Sequence, residues 1–223
     1  MFIGHYALGL AAKRIAPRTS LGPLIAAPTL ADMLWPVFLL TGWERATPAP
    51  ATNPFFNYTF DSYPISHSLL ALALWAALFG GLYRWRTGYA RGAVVVALLV
   101  LSHWVLDWVT HRPDMPLYPG GPKVGLGLWG SVLGTVTIES VMFAAGLGVY
   151  LAATRARDRV GRYAFWGFIA MLVASYVGSL FSPPPVMPAL AIGGIVFGWL
   201  FVAWAWWADK HREALQDAKS LSR

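Results

Sequence analysis

The sequence predicts an all-α polytopic membrane helix bundle, about six transmembrane helices preceded by a short N-terminal half-helix. Three observations carry that class. The 223 residues are 57% hydrophobic and only 12% charged, about half the charge fraction of an ordinary soluble domain. The apolar residues fall in runs of roughly 20, long enough to cross ~30 Å of hydrocarbon. Fourteen of the 17 basic residues fall in alternate loops between those runs, as the positive-inside rule requires.

Taken in order, residues 2–13 form a short apolar helix. At ~1.5 Å per residue it reaches only about half way through a bilayer. Spans are then expected at 21–41, 64–84, 91–110, 129–153, 162–181 and 187–208. No polar linker is long enough to separate two domains, so residues 1–223 read as one membrane domain. The basic-rich side receives Lys13, Arg14 and Arg18, then Arg84, Arg86 and Arg91, then Arg155, Arg157, Arg159 and Arg162, and last Lys210, Arg212, Lys219 and Arg223. The opposite side has Arg45, Arg112 and Lys123. The rule assigns the basic-rich side, and the C-terminus with it, to the cytoplasm. Trp43, Trp85, Trp129, Trp204, Trp206 and Trp207 lie near the expected interfaces, where amphipathic rings settle.

The net charge of +7 could suggest nucleic acid. The basic residues, however, sit in short loops and form no basic stripe, which excludes that class. The partner is the lipid bilayer. Oligomeric state is open. There are no cysteines, so disulfides and thiolate metal sites are out. Lys13 and Arg14 follow the first apolar stretch, the reverse of a signal peptide.

Ionisable groups inside a span are costly and each needs a reason. Asp32 lies between Pro28 and Pro36, in a span whose prolines free backbone carbonyls. Broken backbone at membrane depth is tolerated where it lines a cavity. His103 and Asp107, at i and i+4 in the third span, share a helical face with His111. Imidazole and carboxylate on one face can chelate a divalent ion, although such a pair is also a common hydrogen-bonded couple. His67 follows Pro64 in the first turn of the second span, His5 lies in the half-helix, and Glu139 lies mid-span in the fourth. Helix rise puts Asp32, His103 and Glu139 roughly 16 Å deep, with convergence expected between midplane and outer interface. Arg112 and Asp114, in THRPDMP, are candidates with His111 for contact with substrate, or form a turn. There is no His-Glu-x-x-His helix, nucleophile elbow or P-loop.

The order of these short motifs resembles the YdjM-like family of predicted inner-membrane metal-dependent hydrolases. The matching elements are His5 to Gly9, Asp32 in LADMLWP, His67-Ser68, and His103 to Asp107, over roughly residues 1–120. Leu34 stands where the family has a second aspartate, and Ser62-Tyr63 where it has His-Arg. Both departures bear on a two-metal site. The resemblance implies a bacterial inner membrane.

The expected function is hydrolysis of a lipid-like ester, amide or phosphoester. His5, Asp32, His67, His103 and Asp107 are the candidate metal ligands, for zinc first, then manganese or iron. Asp32 or Glu139 is the candidate general base. A transporter or ion pathway, and a purely structural role, are the alternatives. The last two spans are expected to pack helices, with Gly178, Gly193, Gly194 and Gly198 allowing close approach.

Overall fold

The first expected span is not one helix. In the computed structural model, which describes residues 1–50, 52–183 and 185–215, α1 (Ile3–Ile15) is followed by α2 (Leu21–Ala26) and α3 (Leu30–Thr41). Pro28 lies in the gap, where it has no N–H to continue the hydrogen-bond ladder of α2. Thr29 closes the break by donating its hydroxyl to the Ile25 carbonyl at 2.8 Å. Gly42 ends α3 at φ 75°, a conformation open to glycine because it has no Cβ.

The second expected span is interrupted as well. A single turn, α4 (Pro64–His67), precedes α5 (Leu69–Thr87). Ser68 between them is extended, and its hydroxyl oxygen accepts from Ala71 N at 3.1 Å as the cap of α5. His67 therefore closes one turn instead of opening a long helix. The remaining helices are α6 (Ala90–Thr110), α7 (Val132–Ala153), α8 (Arg159–Phe181) and α9 (Met187–Lys210). All four are long and apolar enough to cross a membrane. The molecule is a helical membrane bundle. The last four expected spans correspond to α6 through α9, while the first two fall on α2–α3 and α4–α5, which are not among the helices long and apolar enough to cross a membrane alone.

Glycines set the closest approaches. A Cβ on Gly146 of α7 would collide with the Ala7 carbonyl of α1, and one on Gly9 with the Leu24 carbonyl. On α9, Gly194 faces the Pro36 ring and Gly198 faces Met33. Gly178 and Gly193 have open space where a Cβ would stand, so close approach does not explain them.

The basic loops gather at one end of the bundle. Lys13 Nζ lies 2.7 Å from Asp209 Oδ2, and Asp209 also accepts from Tyr150 OH and Leu21 N, each at 3.0 Å. Arg212 donates to the Gly161 carbonyl at 3.2 Å, and Arg18 stacks 4.8 Å over the Tyr89 ring. The short pair β5 (Thr154–Ala156) and β6 (Arg212–Ala214) closes this end. Lys219 and Arg223 of the expected alternation lie outside the described residues. The opposite end is covered by two antiparallel pairs. β1 (Arg45–Pro48) pairs with β2 (Tyr58–Ser62), and β3 (Met115–Pro116) with β4 (Lys123–Val124). Asn53 Nδ2 ties this cover to the Trp129 carbonyl at 2.9 Å.

Candidate metal centre

Five of the sequence-predicted residues meet near the covered end. α1 supplies His5, α3 supplies Asp32, α4 supplies His67, and α6 supplies His103 and Asp107. His5 Nε2 lies 3.1 Å from Asp107 Oδ1, and His103 Nε2 lies 3.1 Å from Asp107 Oδ2. Asp32 Oδ1 lies 3.6 Å from His67 Nε2 and 3.9 Å from His103 Nε2. His67 Nε2 is 4.0 Å and His111 Nε2 3.6 Å from Asp107 Oδ2. The Met1 amine lies 2.5 Å from Asp107 Oδ1. The His5 and His103 rings stack 4.1 Å apart at 7°.

The outer nitrogens of three histidines fix where their protons are. His103 Nδ1 is 2.8 Å from the Pro28 carbonyl, which can only accept, so Nδ1 carries the hydrogen. The break between α2 and α3 is what leaves that carbonyl available. His111 Nδ1 is 2.9 Å from Asp114 Oδ1, again an acceptor. His67 Nδ1 is 2.6 Å from Ser66 Oγ. Ser66 spends its only proton on Glu44 Oε2 at 2.5 Å, so its oxygen accepts from His67. In the neutral form of each ring the inward Nε2 is a bare lone pair facing a carboxylate oxygen, and in the charged form it carries a proton and donates to that oxygen. Lone pair against lone pair is repulsive unless a cation stands between them.

A metal ion fits this donor set. Ligand atoms of His5, His103 and Asp107 lie within 4.8 Å of one another, as do those of Asp32, His67 and His103. Bonds of ~2.0–2.1 Å in a tetrahedral zinc site separate the ligand atoms by about 3.4 Å. Histidines anchored through the other nitrogen to a carboxylate or carbonyl are the usual outer shell of such sites. His103 Nε2 has no hydrogen-bond partner among the described residues, although it is fully buried.

The other expected residues divide. His111 belongs to the cluster, and its ring lies 4.1 Å from that of Trp129, tilted by 40°. Asp114 stands behind it, accepting from Tyr63 OH at 3.1 Å. Burial, followed by the charge of Asp114, pushes the Tyr63 phenol up from its ordinary value, so it stays a donor. Arg112 points away, 3.6 Å over the Phe56 ring. Glu139 is apart from the metal group. Its Oε2 accepts from Phe2 N at 2.8 Å and Gly4 N at 3.2 Å, holding the start of α1, and its Oε1 is unpartnered.

The cluster opens into a cavity of about 570 Å³ lined by Asp32, His67, Asp107 and His111 at one part of its wall and by α3, α8 and α9 elsewhere. The sequence reading missed Glu44, which also accepts from Ile65 N at 2.7 Å and Ser66 N at 2.8 Å. Its only signal is a carboxylate at the end of an apolar span. It missed Tyr176 and Trp35 as lining residues, and it read Trp129 as an interface ring only.

The sequence profile of the YdjM inner membrane protein family matches residues 63–186, more than half of the chain. The chain belongs to this family. The matched segment of this YdjM-family chain includes His67, His103, Asp107, His111 and Glu139, and it covers the fourth and fifth expected spans, beyond the 1–120 region of the resemblance, stopping short of the sixth. His5 and Asp32 precede it. No curated protein and no solved structure matches.

Proposed function

We propose that this inner membrane protein is a metal-dependent hydrolase acting on a lipid-like ester, amide or phosphoester. The observation that carries the reading is the set of three inward Nε2 atoms, each on a ring anchored through Nδ1, converging on the carboxylates of Asp32 and Asp107. His67, His103 and Asp107 would hold one divalent ion, zinc first, with His5 and Asp32 as further candidates. When bound, such an ion supplies Lewis-acid charge to the scissile group and lowers the pKa of a coordinated water.

The protein's own groups do the rest. Asp32 keeps 47% of its side chain exposed to the cavity, so it is the carboxylate free to take a proton from the attacking water. It returns that proton to the leaving oxygen or nitrogen as the scissile bond breaks. Glu139 is less suited, because half of its carboxylate is committed to α1. His111 closes the covered side. By the positive-inside rule the basic-rich end and the C-terminus face the cytoplasm, and the cluster then lies toward the outer half of the bilayer. Residues 1–223 act as one domain in this reading, since residues from α1, α3, α4 and α6 share the site.

Elemental analysis of detergent-purified protein tests the proposal. Wild type should carry near-stoichiometric zinc, manganese or iron, and His103→Ala and Asp107→Ala should lose it while staying folded. A wild type that takes up no ion even on reconstitution would sink the hydrolase and leave transport, tested by ion flux in liposomes with Asp32→Asn, as the better reading.

A further inference from the structure

The cavity carries polar chemistry outside the His/Asp cluster. Glu139 Oε1 on α7 and Tyr176 OH on α8 are buried, line the cavity and have no hydrogen-bond partner among the described residues. The indole N–H groups of Trp35 and Trp129 are buried, unpartnered and part of the same wall. Buried polar atoms left this way are rare and cost free energy until something satisfies them.

The four groups differ in kind. A carboxylate oxygen only accepts, an indole only donates, and a phenol does both. A primary ammonium would satisfy Glu139 and leave both indoles empty. A bare phosphate or carboxylate would serve the indoles and repel Glu139. A quaternary ammonium would bond to none of them. Groups that both donate and accept match the whole set, and among lipid headgroups several hydroxyls provide this. The remaining wall is apolar, with Pro36 on α3 and Phe197 and Phe201 on α9. The volume of about 570 Å³ lies within the ~300–1,000 Å³ of small-molecule sites. The α8 and α9 parts of that wall belong to helices long and apolar enough to cross the membrane.

We propose that the cavity binds a membrane lipid with a polyhydroxylated headgroup, its hydroxyls bonded to Glu139, Tyr176, Trp35 and Trp129 and its chain lying along α3 and α9. This names the substrate class of the hydrolase reading and rests on that reading only for bringing the scissile bond to the His/Asp cluster.

The test is equilibrium binding of radiolabelled lysophosphatidylglycerol to the full chain in detergent, stripped of metal so that binding is measured apart from hydrolysis. Lysophosphatidylethanolamine and lysophosphatidylcholine of the same chain length, and glycerol 3-phosphate without a chain, are the competitors. The glycerol headgroup should bind about tenfold more tightly than either amine headgroup, the worth of one or two hydrogen bonds. Glycerol 3-phosphate should compete poorly. Glu139→Gln keeps an oxygen for Phe2 N and Gly4 N and turns the free oxygen into an N–H donor. It and Tyr176→Phe should each erase most of the preference and leave lysophosphatidylcholine binding unchanged. Tyr176→Phe decides alone if Glu139→Gln does not fold. Equal affinity for the three headgroups, full competition by the chain-free compound, or a preference surviving in Tyr176→Phe would overturn the proposal. If instead the preference holds and the protein takes up no metal, the hydrolase reading fails and the lipid site stands.

Discussion

Ser66→Ala tests the anchoring of His67 without touching a metal ligand. The Ser66 hydroxyl donates to Glu44 Oε2 at 2.5 Å and accepts from His67 Nδ1 at 2.6 Å. Without it, the buried ring has no acceptor for its Nδ1 proton. It can move that proton to Nε2 and donate to Asp32 Oδ1, 3.6 Å away. In that tautomer the ring satisfies a carboxylate and cannot bind metal. The shift is worth about one charge-assisted hydrogen bond, roughly 1.5–3 kcal/mol. This agrees with the ~10–100-fold loss of metal affinity found when outer-shell partners are removed. Glu44 Oε1 still holds Ile65 N at 2.7 Å and Ser66 N at 2.8 Å, so the turn that carries His67 survives. The assay is competition for zinc against a chromophoric chelator at neutral pH, with thermal unfolding of the metal-free proteins run beside it. Zinc affinity equal to wild type in a folded Ser66→Ala protein would refute the orientation argument, and with it the place of His67 among the ligands.

Two further outcomes follow from the ends of the bundle. Asp158 caps α8, accepting from Gly161 N at 2.8 Å and His211 Nδ1 at 2.7 Å, and these bonds hold its carboxyl below the usual range, Gly161 first. A depressed folded value stabilises above the unfolded value of about 3.9 and is lost as pH falls through the folded one. Asn caps as well as Asp, so Asp158→Asn should lower the melting temperature at neutral pH and converge with wild type as pH falls through the depressed folded value; a gap constant with pH would contradict this. The chain has no cysteine, so single cysteines can report orientation. A membrane-impermeant maleimide should label Asp61→Cys in intact cells and Arg157→Cys only after lysis, and the reverse pattern would invert the topology.

His103 and Asp107 were legible because an apolar run of helix has no structural use for two ionisable groups one turn apart. Asp32 was legible because prolines on both sides mark broken backbone. What their spacing could not convey was the use of the break. The carbonyl freed at Pro28 orients His103, an association across 75 residues with no local signal. Glu44 escaped notice because a carboxylate at the end of a span is expected to face water. Trp129 escaped because an interfacial aromatic ring needs no further explanation, and Trp35 and Tyr176 because an uncharged ring inside a span raises no question. The last two spans read as packing elements for want of ionisable groups, yet an apolar substrate wall consists of the same residues as a packing face. Only the position of Phe197 and Phe201 on the cavity separates the two roles.

The shape of the cavity bears on the choice between hydrolysis and transport. Its lining toward the basic-rich end stops at Tyr6, Thr29 and Phe201. Beyond these, Leu10, Leu21, Leu24, Phe168 and Leu172 are fully buried and fill the space between helices. Behind them stands the buried Lys13–Asp209 pair, with Tyr150 and Leu21 N on the same carboxylate. A route across the bundle would have to part this layer, and separating a buried ion pair leaves charges uncompensated at about 3–5 kcal/mol. A hydrolase needs no such opening. Substrate and product can enter and leave a blind cavity by the same side. The sealed end then has a chemical use as well: it keeps bulk water away from the inward nitrogens, where a low dielectric strengthens every interaction with a bound cation.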